Sequence, residues 1–219
     1  MDRAYEHGVN YFDTAELYGY GNAEILMGKA IKRAGWARKD FVLSTKYFIV
    51  GPGMNDTFLS RKHIIEGVEA SLKRLQLDYM DIAFAHVYDY ETPIEEVCRA
   101  FNYIIEQGKA FYWATSNWTA DQILEAYECC ERLDLIKPIA EQPEYNLFVR
   151  PSVEVELVPL FEKYGYGTIV WSPLAGGLLT GKYNKGEDPE ASRYDGEKLT
   201  SKNNFKRKFQ YRPYGEDKE

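Results

Sequence analysis

The sequence lacks any apolar run near the roughly 20 residues that cross a bilayer, and its start has no apolar stretch of signal-peptide type. It also lacks an excess of basic residues, because 27 Lys and Arg stand against 34 Asp and Glu, giving a net charge of −7. A nucleic-acid-binding protein needs positive charge to contact phosphates. We therefore expect a cytoplasmic protein with neither membrane insertion nor a nucleic-acid partner.

Cysteine is scarce, with only Cys98, Cys129 and Cys130 among 219 residues. Their spacing is not that of a metal site, and we expect no metal. Adjacent residues on a helix point in different directions, which disfavours a bridge between Cys129 and Cys130. We interpret all three as small core residues in a reducing compartment, with redox or nucleophilic work as the alternative.

What the sequence does contain is 45% hydrophobic and 28% charged residues, which is typical of one sizeable globular domain. Short apolar segments that could form strands recur about every 30 residues, the size of one β-helix-β unit. This spacing indicates a parallel sheet rather than a sheet built from hairpins. The segments begin near Val9, Phe41, Tyr79, Ala110, Pro138 and Gly167.

Helix starts are marked by their capping residues as well as by apolar periodicity. Thr92 is followed by Pro93 at the first helical position and by Glu95 three residues after the cap, where its carboxylate could reach back to a free amide. Two further starts are predicted at Ser60 and at Thr119. The apolar stripe of each helix should pack against the sheet.

Parallel strands that alternate with helices fit either a closed (β/α)8 barrel or an open doubly wound sheet. The open sheet would need a Gly-x-Gly-x-x-Gly turn after its first strand, and the nearest match, residues 19–24, lacks the third glycine. Polar residues cluster instead at the carboxyl ends of several predicted strands, where barrel enzymes carry their sites. We therefore predict an α/β protein of the parallel TIM-barrel type. The clustered residues are Asp13, Lys46, His86, Ser116, Asn117 and Gln142.

The predicted barrel is incomplete, because about six β/α units are recognisable where a full barrel has eight. We expect the first strand and the carboxyl-terminal units to be missing. Residues 1–193 form the predicted partial barrel, and the polar residues 194–219 form a predicted poorly ordered tail whose basic run is interpreted as a solvated helix. Because a six-unit arc would expose two strand edges, we interpret the chain as a fragment or truncated product of a longer gene.

Three successive predicted strands end in Asp13, Lys46 and His86, and Tyr18 lies in the loop after the first. A lysine at the end of an apolar strand needs a compensating charge, which Asp13 could supply from the adjacent strand. Taken singly, Asp13 and Tyr18 would be a turn former and a surface aromatic, and His86 a structural residue. Together the four side chains form an acid-base set suited to proton transfer.

Several stretches, in order along the chain, resemble the aldo-keto reductase superfamily. They are NYFDTAELYG at 10–19, STK at 44–46, SRKHIIEG at 60–67, residues 108–118, EQPEYN at 141–146 and WSPL at 171–174. The resemblance runs from Asp2 to about Arg193 and is closest to the branch that contains the voltage-gated potassium channel β subunits. It implies an oxidoreductase that reduces a small carbonyl substrate, an aldehyde or ketone, with NADPH.

The resemblance also implies a role for each side chain of the acid-base set. Tyr18 would be the general acid, with the Lys46 ammonium lowering the pKa of its phenol, and Asp13 would orient Lys46. His86 would hold the carbonyl oxygen. The channel-subunit branch often has a different residue at this position, so His86 favours turnover. NADPH rather than NADH is inherited from the family, because no residue in this chain recognises the 2′-phosphate.

Cofactor contacts are implied in the same way. Ser116, Asn117 and Gln142 would bind the nicotinamide carboxamide, although residues of these types could also satisfy backbone groups at strand ends. Trp171 would stack on the nicotinamide ring, and the segment Ser172, Pro173 and Leu174 would follow the pyrophosphate.

Two functions remain open at this stage, and both use the same site. One is a working NADPH-dependent reductase, and the other is a cofactor-sensing subunit that docks on the cytoplasmic domain of a potassium channel with little turnover. An inactive fragment is the third alternative. The resemblance also allows a homo-oligomer.

Overall fold

Six parallel strands form a single sheet in which each strand pairs with the next strand along the chain. The computed structural model describes residues 1–49, 51 and 53–184. This sequential order is that of a (β/α)8 barrel, whereas a doubly wound sheet reverses its strand order. The predicted incomplete barrel is confirmed. The strands are β1 Tyr11–Asp13, β2 Val42–Tyr47, β3 Met80–Ala85, β4 Ala110–Ser116, β5 Ala140–Gln142 and β6 Gly167–Thr168.

Helices alternate with these strands. They are α1 Asp2–Glu6, α2 Asn22–Ala34, α3 Arg61–Leu75, α4 Ile94–Glu106, α5 Ala120–Leu133 and α6 Val158–Tyr164. A turn of π-helix, Ser152–Glu156, precedes α6, and 3-10 helices occupy Arg38–Asp40 and Ala175–Thr180. Among the described residues, no helix is both long and apolar enough to cross a membrane.

Two of the three predicted helix starts are confirmed. The Ser60 hydroxyl accepts a hydrogen bond from the His63 amide, and Thr119 forms a reciprocal capping box with Gln122. The predicted cap at Thr92 is wrong, because α4 begins one residue later with the extended Pro93 at the cap position. Glu95 therefore lies in the first turn, where its carboxylate accepts a hydrogen bond from Arg99 Nε at 2.9 Å instead of reaching back.

The main core lies between the sheet and the helices. Successive strand residues point to opposite faces, so Leu43 and Tyr47 of β2 join the helix-facing core while Ser44 and Lys46 point away from it. The other face of the sheet carries a smaller apolar cluster of buried residues, namely Ile82, Phe84, Ala114 and Ala140. The polar strand-end side chains thus lie on the face turned away from the helices. All three cysteines are buried and free.

The chain divides into two compact units. The first contains residues 1–145 and 150–171, and therefore all six strands. The second contains residues 146–149 and the chain from Ser172 onward, of which 172–184 are described. The predicted tail at 194–219 lies outside the described residues.

Candidate active site

The carboxyl ends of β1, β2 and β3 bring together the predicted acid-base set. Strand register aligns Asp13 with Ser44 and Lys46 with Phe84, so the charged ends of β1 and β2 meet at one edge of the sheet. His86 directly follows β3, and its backbone amide donates to the Tyr47 carbonyl at 2.9 Å. Neighbouring parallel strands place their carboxyl ends at the same edge of the sheet, so residues that are distant in sequence lie close together here.

Lys46 is fully buried, with 0% of its surface exposed. Its ammonium is ion-paired and hydrogen-bonded to Asp13 Oδ2, and it donates to the Thr14 carbonyl at 2.7 Å. Burial lowers the pKa of Lys46, and the Asp13 carboxylate opposes that shift. The predicted compensation of Lys46 by Asp13 is therefore confirmed.

Tyr18 lies beside this ion pair. The Lys46 Nζ stands 5.1 Å from the centre of the Tyr18 ring, and 42% of the tyrosine remains exposed. Burial raises the pKa of the Tyr18 phenol, and the Asp13 charge raises it further. The expectation that Lys46 lowers this pKa is wrong, because burial of the phenol outweighs the stabilisation that the ion-paired ammonium gives to a phenolate.

His86 also packs against Tyr18. The two rings meet edge to face, with centres 6.1 Å apart and an interplanar angle of 82°. Burial, assisted by the Lys46 charge, lowers the pKa of His86 to about 4. The imidazole is therefore uncharged at neutral pH and offers one N–H donor and one free ring nitrogen.

Ser44 extends the ion pair and was not among the predicted site residues. Its hydroxyl donates to Asp13 Oδ1 at 2.5 Å and accepts from the Tyr11 hydroxyl at 2.8 Å. Because Ser44 and Lys46 are two positions apart on β2, they share a face. That spacing is the feature of the sequence that could have identified Ser44 as a neighbour of the ion pair. Asp13 is thus held by a serine and a lysine from the same strand.

A second buried pair, Glu16 with His63, holds the loop that carries Tyr18. Glu16 Oε1 accepts from the Phe48 amide at 2.9 Å and is 2.8 Å from His63 Nε2. The other ring nitrogen, Nδ1, is 2.8 Å from the Asn55 carbonyl. Burial lowers the pKa of His63, but the hydrogen bond and charge of Glu16 outweigh burial, so the pKa is raised. Nothing in the sequence pointed to this contact, which joins positions 47 residues apart.

The ends of β4 and β5 bring together four of the predicted cofactor-binding residues. Ser116 Oγ donates to the Gln142 carbonyl at 2.9 Å and accepts from Asn117 Nδ2 at 3.1 Å. Asn117 Nδ2 also reaches the His86 carbonyl at 3.2 Å. The Trp171 indole donates to Asn117 Oδ1 at 3.1 Å. These contacts connect the predicted cofactor side to the strand end that carries His86.

Glu141 is a buried carboxyl that the sequence analysis did not select. It precedes Gln142 on β5, has 0% of its surface exposed, and accepts from Thr115 Oγ1 at 2.6 Å and from the Trp118 amide at 3.1 Å. Burial raises the pKa of Glu141 to about 8, although hydrogen bonds from Thr115 and from the amides of Trp118 and Asn117 oppose the shift. The side chain is therefore mainly protonated at neutral pH.

Ser172, Pro173 and Leu174 belong to the second compact unit. Within that unit the Ser172 carbonyl accepts from the Ala175 amide at 2.9 Å and from Asn146 Nδ2 at 3.1 Å. Gly176 and Gly177, with φ of 67° and 102°, allow the backbone to kink within the following 3-10 helix. A role of these residues along the pyrophosphate stays a prediction.

Comparison with known proteins agrees with the predicted resemblance. The sequence matches the Aldo/keto reductase family over residues 1–210. A probable voltage-gated potassium channel subunit beta of Arabidopsis thaliana is 58% identical, over 86% of this chain and 58% of that protein. One of Oryza sativa subsp. japonica is 56% identical over 85% and 57%, and a putative one of Schizosaccharomyces pombe is 53% identical over 88% and 56%. The chain thus spans little more than half the length of these relatives.

Proposed function

Because this chain belongs to the aldo/keto reductase family, we propose that its intact gene product reduces aldehydes and ketones to alcohols with NADPH. One observation carries the proposal. The buried Lys46 ammonium is ion-paired with Asp13 and lies 5.1 Å from the centre of the Tyr18 ring, and the His86 and Tyr18 rings meet edge to face. A tyrosine with no function at the surface would not require a buried ammonium and an imidazole beside its ring. A general acid that gives its proton to a carbonyl oxygen does require them.

Tyr18 is the proposed general acid. With its pKa raised, the phenol holds its proton at neutral pH and so is ready to donate it to the carbonyl oxygen. The nearby ammonium stabilises the phenolate as it forms, and Asp13 with Thr14 fixes that ammonium in place. His86, being uncharged, can donate an N–H hydrogen bond to the same oxygen without competing for the proton.

The ends of β4 and β5 fit the carboxamide of a nicotinamide. The Gln142 side chain is buried and forms no hydrogen bond with the described residues, so its amide is free to bind the nicotinamide carboxamide. Ser116 and Asn117 stand beside it, and Trp171 supplies an aromatic face. NADPH, when bound, supplies the hydride. Ser172, Pro173 and Leu174 are assigned to the pyrophosphate by resemblance alone.

The test compares Tyr18→Phe with Tyr20→Phe in the intact gene product. Tyr20 is two residues away on the same loop and is 75% exposed, which makes it a matched control. We expect Tyr18→Phe to lower kcat by about 10²- to 10⁴-fold, the usual contribution of a general acid, with the Kd for NADPH within about twofold of the wild type. NADPH oxidation with a generic aldehyde gives kcat, and NADPH fluorescence titration gives the Kd. Wild-type turnover by Tyr18→Phe would contradict the proposal.

A second candidate function comes from the relatives, three of which are named as subunits of voltage-gated potassium channels. On this alternative the protein is a cytoplasmic subunit that binds the cofactor at the same site and turns it over little. Its signature would be NADPH binding without aldehyde-dependent oxidation, together with co-purification with a channel cytoplasmic domain. Failure to bind NADPH at all would favour an inactive product instead.

A further inference from the structure

Glu141 is a buried carboxyl that the proposed chemistry does not use. Within the described part of the chain, all its hydrogen-bond partners are neutral groups. Thr115 Oγ1 lies 2.6 Å from Oε2 and 2.8 Å from the Tyr166 hydroxyl, and the Trp118 amide donates to Oε1. The Trp118 amide belongs to the turn that follows β4. Burying a carboxyl without a cation is costly, so this one must contribute through the groups it holds.

What Glu141 holds is an unusual turn. Asn117 has φ of 58°, in the left-handed region that non-glycine residues seldom adopt, and it lies directly after β4. In this conformation its side chain makes contacts in two directions. Oδ1 accepts from the Trp171 indole, and Nδ2 donates to the His86 carbonyl. The turn therefore orients both the Trp171 ring and His86, the residue that follows β3.

We propose that Glu141 is a positioning residue, whose carboxyl binds the Trp118 amide in the turn after β4 and so fixes the side chain of the preceding Asn117 between Trp171 and His86. The inference deepens the proposed function, on which it rests, because it assigns the orientation of the nicotinamide-stacking ring to a side chain outside the acid-base set. Glu141 acts through Asn117 and touches neither substrate nor cofactor.

The hydrogen bond from the Trp118 amide requires an acceptor, and a negative charge is unnecessary. At neutral pH the protonated carboxyl has one carbonyl oxygen and one hydroxyl, and Gln has nearly the same shape with an amide group in place of that hydroxyl. Glu141→Gln should therefore preserve the turn. Glu141→Met keeps the length of the side chain but has no group that accepts a hydrogen bond from the Trp118 amide.

The experiment follows the indole N–H signal of Trp171 in the intact, cofactor-free protein labelled with ¹⁵N-tryptophan, assigned by Trp171→Phe. We expect Glu141→Gln and the exposed control Glu128→Gln to leave that signal in place, and Glu141→Met to shift it. NADPH titration of the same variants should show Kd values within about twofold for both Gln variants and about tenfold weaker binding for Glu141→Met. A structural role alone would not move one particular indole signal.

Asn117→Gly supplies an independent arm, because glycine keeps the left-handed backbone while the amide side chain is lost. It should shift the Trp171 signal by itself, and adding Glu141→Met in that background should then shift it little further. The arm also decides the case in which Glu141→Met does not fold, since a Trp171 signal unmoved by Asn117→Gly overturns the proposal.

Two other results overturn it as well. One is an unchanged Trp171 signal in folded Glu141→Met, and the other is a shift in Glu141→Gln as large as in Glu141→Met, which would assign the role to charge. If the wild type binds no NADPH, the proposed function fails, whereas the indole signals still decide whether Glu141 positions Asn117.

Discussion

At the ends of β1 to β3 a buried ammonium faces a carboxylate, whereas at the end of β5 a buried carboxyl has only neutral partners among the described residues. The carboxyl-terminal edge of the sheet therefore has two halves. The charged half consists of Asp13, Tyr18, Lys46 and His86. The neutral half consists of Ser116, Asn117, Glu141 and Gln142. The difference matches the proposed division of labour, because proton transfer uses charge that can be redistributed, whereas holding a carboxamide uses directed hydrogen bonds.

The largest loss of stability is expected when the ion pair of the charged half is broken. Lys46 is fully buried and the Asp13 side chain is 27% exposed, so water can solvate the aspartate but not the lysine. Asp13→Asn should lower the free energy of unfolding by about 3–5 kcal/mol, the usual cost of leaving a buried charge unpaired. Lys46→Met should cost less, because the remaining carboxylate reaches solvent.

Urea denaturation of the intact gene product measures both variants, with the exposed Asp78→Asn as the control for an Asp-to-Asn change. A larger loss for Lys46→Met than for Asp13→Asn would show that burial does not set the cost.

The neutral half should lose stability as the pH rises. The pKa of Glu141 is about 8 in the folded protein against 4.5 as its ordinary value, so between these values the folded state keeps a proton that the unfolded state has released. The free energy of unfolding then falls with pH, by at most about 1.4 kcal/mol per pH unit, and the contribution levels off above pH 8. Glu141→Gln should remove this slope. Denaturation series at pH 5, 7 and 9 would give parallel curves for the two proteins if the carboxyl were ionised throughout.

The charged half should lose stability in the opposite direction. The pKa of His86 is about 4 in the folded protein against 6.5 as its ordinary value, so between these values the unfolded state binds the additional proton. Stability from this group is complete above pH 6.5 and declines as the pH falls toward 4, over a shorter window than for Glu141. His86→Gln should flatten the acid side of the stability profile, with the exposed His7→Gln as the control for a His-to-Gln change. An equal effect of both variants would contradict the assignment.

The smallest expected difference compares one hydroxyl from each half. Ser44 is hydrogen-bonded to the Asp13 carboxylate, which is ion-paired with Lys46, whereas Thr115 is hydrogen-bonded to a carboxyl that is mainly protonated. Because hydrogen bonds to charged groups are the stronger, Ser44→Ala should cost about 2 kcal/mol and Thr115→Val about 1 kcal/mol. The same denaturation measurements at pH 6 decide the order. The reverse order would mean that the charge of the carboxyl does not set the strength of these two hydrogen bonds.

The charged half was largely predictable, because its geometry follows from strand ends. Every predicted strand start lies within two residues of an observed strand, and parallel neighbours must bring Asp13 and Lys46 to one edge. The pKa of Tyr18 was predicted in the wrong direction, since burial of the phenol and the Asp13 charge both raise it. That balance depends on contacts between strands and is not encoded in spacing.

The neutral half was only partly predictable. Gln142 was selected and Glu141 was not, because neighbouring strand residues face opposite sides and a carboxylate is not expected toward the helices. The burial of Glu141 is tolerable because its carboxyl is hydrogen-bonded to the Thr115 hydroxyl and the Trp118 amide. These groups belong to β4 and to the turn after β4. Glu16 and His63 were missed for a similar reason, because a bond between a loop and a helix leaves no periodic pattern in sequence.

The sequential order of the sheet also bears on biosynthesis. Since each of the six described strands pairs with its neighbours along the chain, a unit that emerges from the ribosome can pack on the unit made just before it. Asp13, Tyr18, Lys46 and His86 all precede β4 in the sequence, so the proposed proton-transfer centre can assemble while β4 to β6 are still being translated. Pairing between consecutive units keeps loop closure short, which favours rapid, vectorial growth of the fold from its amino-terminal end.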